Sequence, residues 1–189
     1  MKKAVLISVR PKWVELIASG RKTVEVRKNR PKIETPFICY LYMSWYHWAF
    51  DLLRNYGMEE LADRLAAENG MVVGEFICDS IYKFSTVVYL GNEQLISDDE
   101  VVKKSCVPRS DLRKYEGTIA PYGLYGWHIS GLKIYEKPKR VFDFVRPACE
   151  RASDCGAGCS YWCGSLHRCM RNYTVFTPPQ SWMYVEELP

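Results

Sequence analysis

The chain has 189 residues, 48% apolar and 25% charged, which suits one packed domain and excludes disorder throughout its length. Its net charge of +4 hides an imbalance, because residues 1–34 carry ten basic and three acidic side chains while residues 51–100 carry three and eleven. This excludes a uniformly basic surface and predicts one basic and one acidic face. The same pattern also suits the solvated faces of an ordinary globular domain.

The predicted elements begin with an apolar, β-branched strand at residues 4–10. Pro11 suits the first position of a helix at 11–19, and Gly20 suits its end. Gly74 predicts a bulge within a long strand. Further strands are predicted at 22–28, 37–45, 71–84, 125–136 and 181–188, and helices at 58–68, 98–104 and 109–116. Strands interrupted by few helices, without a glycine-rich phosphate loop, predict a small mixed α+β barrel.

No segment has the pattern of an export signal or a membrane span. The first apolar run ends at Arg10, which is too short for the hydrophobic region of a signal peptide. The most apolar window, residues 36–50, contains Ser44 and His47 and is too short and too polar to cross a bilayer. We therefore expect a cytoplasmic protein without a membrane partner.

The stretch SGRKTVEVRKNR, residues 19–30, combines strand alternation with clustered charge. Val24 and Val26 fall on one face of the predicted strand, and Glu25 and Arg27 on the other. Glu25 accepts hydrogen bonds only, as reading an exocyclic amine requires, and Arg27 can bind an oxyanion or pair with Glu25. A binding surface and a structural ion pair are both consistent with this pattern.

Other charged and aromatic residues could extend a binding surface around this stretch. Lys22 lies at a predicted turn, where its ammonium can meet a phosphate, and Arg10 and Lys12 can add a basic rim. Trp13 offers a ring on which an unpaired base can stack, as do Trp45, Tyr46 and Trp48 further along. Tryptophans lie more often in protein cores than on binding surfaces.

These residues resemble a known family. ISVRPKWVELIASGRKTVEVRK, residues 7–28, is similar to the opening of an ASCH domain, a member of the PUA-like superfamily with a G-x-K-x-x-E-x-R motif. The motif falls on Gly20, Lys22, Glu25 and Arg27. Three later segments resemble later parts of the domain, namely VVGEFICDSIY, YGWHISGLKIYEKP and PPQSWMYVEEL. The amino-acid sequence is most similar to the versions of the domain that phages and prophages carry.

The resemblance implies an α+β fold over residues 1–145, a small PUA-like (ASCH) β-barrel with packed helices and a cleft beside the motif. It implies binding of nucleic acid, RNA rather than DNA, or of a modified or unpaired base or nucleoside. The residues expected to bind are Arg10, Lys12, Lys22, Glu25 and Arg27.

An enzymatic alternative also follows from the superfamily. Some small bacterial members remove acetyl groups from N4-acetylcytidine, and they resemble this chain in GRKT, residues 20–23. Their proposed catalytic lysine falls on Lys22, the threonine three residues later corresponds to Glu25, and the proposed acid falls near Ser105, with Glu100 the nearest acid upstream. Lys22 and Glu25 would then be catalytic. A lysine beside a carboxylate tends to keep its proton, which favours binding over catalysis.

A cysteine-rich insertion is expected at residues 146–175, before a closing strand at 176–189 that returns to the barrel. Without a secretory signal, a structural zinc site is more plausible than disulfides. Free thiols, disulfides and an iron–sulfur cluster stay open, because the usual C-x2-C knuckles are absent. The expected zinc ligands are Cys155, Cys159, Cys163 and Cys169, with Cys149 or His167 as substitutes.

Overall fold

The structure, a computed structural model, describes residues 2–44, 57, 59–60, 63, 70–86, 98–117, 123–147, 162–163, 165, 168–169 and 173–189. Most of the helix predicted at 58–68 lies outside these ranges, as do Trp45, Tyr46 and Trp48. Within them the strands are β1 (Lys3–Val9), β2 (Val24–Arg27), β3 (Phe37–Met43), β4 (Val72–Cys78), β5 (Ile81–Phe84), β6 (Leu124–His128), β7 (Ser130–Lys139), β8 (Trp162–Cys163), β9 (Arg168–Cys169) and β10 (Trp182–Glu186). The helices are α1 (Pro11–Ala18), α2 (Asp98–Ser105) and α3 (Arg109–Glu116), followed by a short 3-10 helix (Val141–Asp143).

The strands form a five-stranded sheet in the order β10-β1-β3-β4-β7 and a three-stranded sheet in the order β2-β6-β5. β1 runs parallel to β3, and the other pairings are antiparallel. β1 is buried over Ala4–Val9 because it lies between two neighbours and is covered on both faces. This explains why its sequence is continuously apolar rather than alternating.

Local signals define α1. Pro11 occupies the first turn, where its missing N–H has no cost, and Val14 and Ile17 bury one face of the helix. Gly20 follows with φ of +71°, a left-handed conformation that glycine adopts readily. In the described residues, no helix has the length and hydropathy needed to span a membrane.

The predicted α+β class is confirmed, but the two sheets are not closed into a barrel, because no described strand pairing joins the five-stranded sheet to the three-stranded one. The segments predicted as single strands at 71–84 and 125–136 each break at a corner. The first breaks at Asp79 and Ser80 and the second at Ile129, and each passes from one sheet to the other. The hydrogen-bond ladder therefore ends at each corner instead of closing.

Packing rather than backbone pairing joins the two sheets. Trp127 belongs to β6 but is fully buried in the same hydrophobic cluster as β1, β3, β4 and α1. Its ring lies 6.1 Å from that of Phe37 and 5.8 Å from that of Trp182, both in the larger sheet. A second cluster packs α2 and α3 against β2, β5 and β6.

The predicted bulge in β4 is present. Leu41 pairs with Gly74 and Tyr42 with Val72, so Val73 is skipped in the pairing with β3. A Cβ atom on Gly74 would lie 2.5 Å from the carbonyl oxygen of Lys133 in β7. Glycine is needed here because the neighbouring backbone comes too close for any side chain.

Candidate functional site

A cavity of about 700 Å³ lies where β1, β2, α1, α3 and the segment before β10 meet. This volume is typical of a site for a small ligand or a single nucleotide. The lining residues are Ser8, Val9, Arg10, Trp13, Lys22, Glu25, Val26, Arg27, Tyr42, Ser44, Val107, Asp111, Leu112, Lys114, Tyr115 and 178–181.

Lys22 is held firmly in the wall of this cavity and is only 2% exposed. Its Nζ donates hydrogen bonds to the carbonyl oxygens of Val24 at 2.9 Å and Ser105 at 2.8 Å, and lies 3.2 Å from Oε2 of Glu25. All three ammonium donors are therefore engaged. Ser105 ends α2, where helix carbonyls lack intrahelical partners and attract cations. Lys22 thereby ties α2 to β2.

Glu25 lies between two cations. Its Oε1 accepts from Nη2 of Arg27 at 2.9 Å, while Oε2 faces Lys22. The same Nη2 donates to the carbonyl oxygen of Ser8 at 2.7 Å, which joins β2 to β1. The Nε of Arg27 is buried and has no hydrogen-bond partner among the residues that the structure describes. We call Lys22, Glu25 and Arg27 the motif cluster.

Aromatic rings and exposed cations surround the cavity. The ring of Trp13 in α1 lies 4.8 Å from the Nζ of Lys12. The ring of Tyr115 in α3 lies 5.0 Å from the Nζ of Lys28. These distances are typical of cation–π contacts. We call the exposed cations Arg10, Lys12, Lys28 and Lys114 the cationic rim.

Four of the five predicted binding residues line the cavity, namely Arg10, Lys22, Glu25 and Arg27. Lys12 does not line it and lies exposed against Trp13. All four residues of β2 are buried, so its charged face points to other parts of the protein instead of to open solvent. The motif cluster therefore combines both sequence interpretations, because it is an internal ion-pair network that also forms cavity wall.

Sequence reasoning missed the contribution of α3 and of residues 178–181. Asp111, Lys114 and Tyr115 line the cavity, yet their helix is largely polar and carries no motif that links it to β2. Residues 178–181 reach the cavity because Ser8 donates from its N–H to Ser181 and from its hydroxyl to Pro179. The one signal in the sequence that could have indicated helix α3 is the basic residue Lys114 next to the aromatic residue Tyr115.

The geometry does not support Lys22 as a catalytic base. A base needs a lone pair directed at the substrate, whereas the three donors of Lys22 are already engaged by acceptors. Ser105, the position aligned with the proposed acid, does lie beside Lys22, but it contributes its backbone carbonyl. Glu100 forms an exposed ion pair with Lys104.

The cysteine segment is described only in part. Cys149, Cys155, Cys159 and His167 lie outside the described residues. Cys163 is in β8 and Cys169 in β9, where the backbones pair Cys163 with Arg168 and Trp162 with Cys169. The described ranges contain no group of three or more potential metal ligands. The zinc site, the insertion and the boundaries at residues 145 and 175 stay predictions.

Comparison with known proteins identifies the family. No curated protein matches the chain. Two crystal structures of the ASCH protein from Zymomonas mobilis are similar in fold at 13% identity: a point mutant with a TM-score of 0.56, covering 97% of this chain and 89% of that one, and a second structure with 0.54, 97% and 88%. The ASCH domain model matches residues 7–120, more than half of the chain. The chain therefore belongs to the ASCH domain family.

Proposed function

We propose that this protein binds single-stranded RNA and takes one unpaired base into the cavity. The observation that carries the proposal is the cavity itself, whose wall holds a fixed acceptor and donor, Glu25 and Arg27, and whose rim is cationic and aromatic. Family membership supports it, since ASCH domains are generally proposed to bind RNA.

The size and lining of the cavity suit a nucleobase. Sites of several hundred cubic ångströms bury one small planar group with a few directed polar contacts. Trp13 and Tyr115 supply ring surfaces from two different helices, and Tyr115 is 40% exposed. Stacking of an unpaired base on such rings contributes about 1–3 kcal/mol per base. An RNA loop or single strand presents such bases, whereas a duplex keeps them stacked and paired.

The cationic rim suits the phosphates on either side of that base. Lys28 and Lys114 are exposed near the ring of Tyr115, and Arg10 and Lys12 are exposed near Trp13. Contacts to phosphates position a nucleic acid without reading its sequence, and they weaken as salt rises. The rim therefore supports attraction and orientation, and the cavity supports recognition.

The test is a titration of labelled single-stranded RNA, duplex RNA and single-stranded DNA of one sequence at two salt concentrations. We expect single-stranded RNA to bind most tightly and to weaken with salt. Tyr115→Leu should lower its affinity about tenfold. Phe142→Leu, which changes an aromatic that is 48% exposed and outside the cavity, should have no effect. No binding at low salt, or equal loss in both variants, would overturn the proposal.

We also propose that the cysteine segment binds a structural zinc ion through Cys155, Cys159, Cys163 and Cys169, with Cys149 or His167 as substitutes. The close spacing of these ligands and the pairing of β8 with β9, which carry two of them, support this. Elemental analysis of reduced, purified protein should find one zinc per chain. Cys159→Ser should lose it, and Cys106→Ser, a free thiol elsewhere, should keep it. Freely titrating thiols without zinc, or bound iron, would contradict the proposal.

A further inference from the structure

We infer that the cavity selects bases that carry an exocyclic amine and rejects uracil, with Glu25 as the group that reads the amine. This inference rests on the proposed RNA binding and concerns which base the same site accepts. It follows from the hydrogen-bonding capacity of Glu25 at the cavity wall that the described residues leave unused.

Glu25 offers acceptors and no donor. A carboxylate has about four lone-pair positions on its two oxygens. The described contacts use one on Oε1, with Arg27, and one on Oε2, with Lys22. Both cations are buried and fixed by backbone carbonyls, so Glu25 is held in place with acceptor capacity to spare. A base that reaches Glu25 must present N–H groups to it.

The bases differ in what they can present. Cytosine and adenine carry an amine beside an acceptor nitrogen, and guanine carries an amine beside its ring N–H. Uracil has one ring N–H on that edge, flanked on both sides by carbonyl oxygens. Those oxygens repel a carboxylate, so the contact of uracil with Glu25 is opposed on both sides. Discrimination against uracil therefore follows from the negative charge of Glu25, the anion of the motif cluster.

Arg27 adds a donor beside this acceptor. Arg27 lines the cavity beside Glu25, and its guanidinium carries donors and no acceptor. The ring nitrogen or carbonyl next to an amine can accept a hydrogen bond from such a group. Glu25 and Arg27 together match an amine and its neighbouring acceptor on one base edge.

The experiment uses the full chain and oligouridine strands that carry a single test base at the centre. The test bases form three pairs that differ by one amine: cytosine and 2-pyrimidinone, adenine and unsubstituted purine, guanine and hypoxanthine. We expect the best-bound base to lose about tenfold in affinity when its amine is removed. The all-uridine strand should bind as weakly as the amine-free members.

Equal binding within every pair would overturn the inference and leave the proposed RNA binding intact. Absence of binding to every strand would instead overturn the proposed function. These outcomes need no variant, so they do not depend on whether an altered protein folds.

Variants of Glu25 and Glu136 then locate the selectivity. Glu25→Gln keeps the shape but replaces one acceptor oxygen with a donor, so the penalty for uracil should shrink. Glu136→Gln makes the same chemical change at an exposed carboxylate on β7, outside the cavity, and it should keep the amine preference. A folded Glu25→Gln protein with its full amine preference would show that Glu25 is not the reading group.

Discussion

The motif cluster and the cationic rim use the same kinds of side chain in opposite surroundings. Lys22 is 2% exposed and has three fixed acceptors, whereas Lys12, ten residues earlier in α1, is exposed to solvent and contacts the ring of Trp13. Buried charges need exact partners and therefore fix geometry, while exposed charges act at longer range and cost little to change. The comparison supports the proposal that the motif cluster recognises the ligand and the cationic rim attracts it.

The largest expected effect comes from removing the buried ammonium. Lys22→Met leaves Glu25 short of one counter-charge and two carbonyl oxygens without a donor, so the free energy of unfolding should fall by about 3–5 kcal/mol. Lys12→Met, the matched exposed change, should alter it by no more than about 0.5 kcal/mol. Urea unfolding measures both. Equal stability of the two variants would contradict the distinction between cluster and rim.

Substitutions in the cationic rim should have a smaller effect, and they should change RNA affinity rather than the free energy of unfolding. Lys28→Gln and Lys114→Gln should each weaken RNA binding and lower the salt slope by about 0.7 per lost phosphate contact on a single strand. Unfolding should change by no more than about 0.5 kcal/mol. Lys137→Gln, exposed on β7 and outside the cavity, is the control for net charge. Similar slopes for all three variants would mean that attraction is not localised at the rim.

The smallest expected effect concerns the exposed pair at the sheet corner, Asp79 and His128, whose atoms Oδ1 and Nδ1 lie 2.7 Å apart. Burial alone would raise the pKa of Asp79, but hydrogen bonds with His128, Ser130 and Ser80 outweigh it, so the pKa is lowered from 3.8. A lowered pKa stabilises the fold above that value, and the contribution disappears as pH falls through the folded-state pKa.

Asp79→Asn should therefore lower the urea midpoint slightly at neutral pH, and the two proteins should converge in acid. The loss should stay well below that of Lys22→Met, because the pair is partly solvated. A difference that persists unchanged at low pH would show that packing rather than charge is responsible.

The first elements could be predicted because their signals are local. Pro11 and Gly20 bound α1, and the β-branched runs on either side give β1 and β2. The corners at Asp79 and Ile129 were not predicted. Asp79 and Ser80 are turn-favouring residues, but the apolar and β-branched residues on both sides favour a continuous strand, and only the packing of two sheets requires the break. For the same reason the two sheets are not closed into the expected barrel.

Which residues form the motif cluster could be predicted from the sequence, but how they are arranged could not. The motif gave Lys22, Glu25 and Arg27, but a lysine near a glycine turn is ordinarily exposed. One of its acceptors, Ser105, lies 83 residues away in sequence, so its burial depends on a contact that no local pattern carries. Tyr115 and Lys114 were missed because helix packing alone brings them to the cavity.

The cavity wall formed by residues 178–181 has a consequence for when the cavity is completed during synthesis. These residues are held against Ser8 in β1, next to the β10–β1 pairing, far beyond the family match at 7–120. A nascent chain that has emerged only to residue 120 lacks this side of the cavity and also lacks β6, the strand that pairs with β2. The cavity is therefore completed late in synthesis, once β10 pairs with β1.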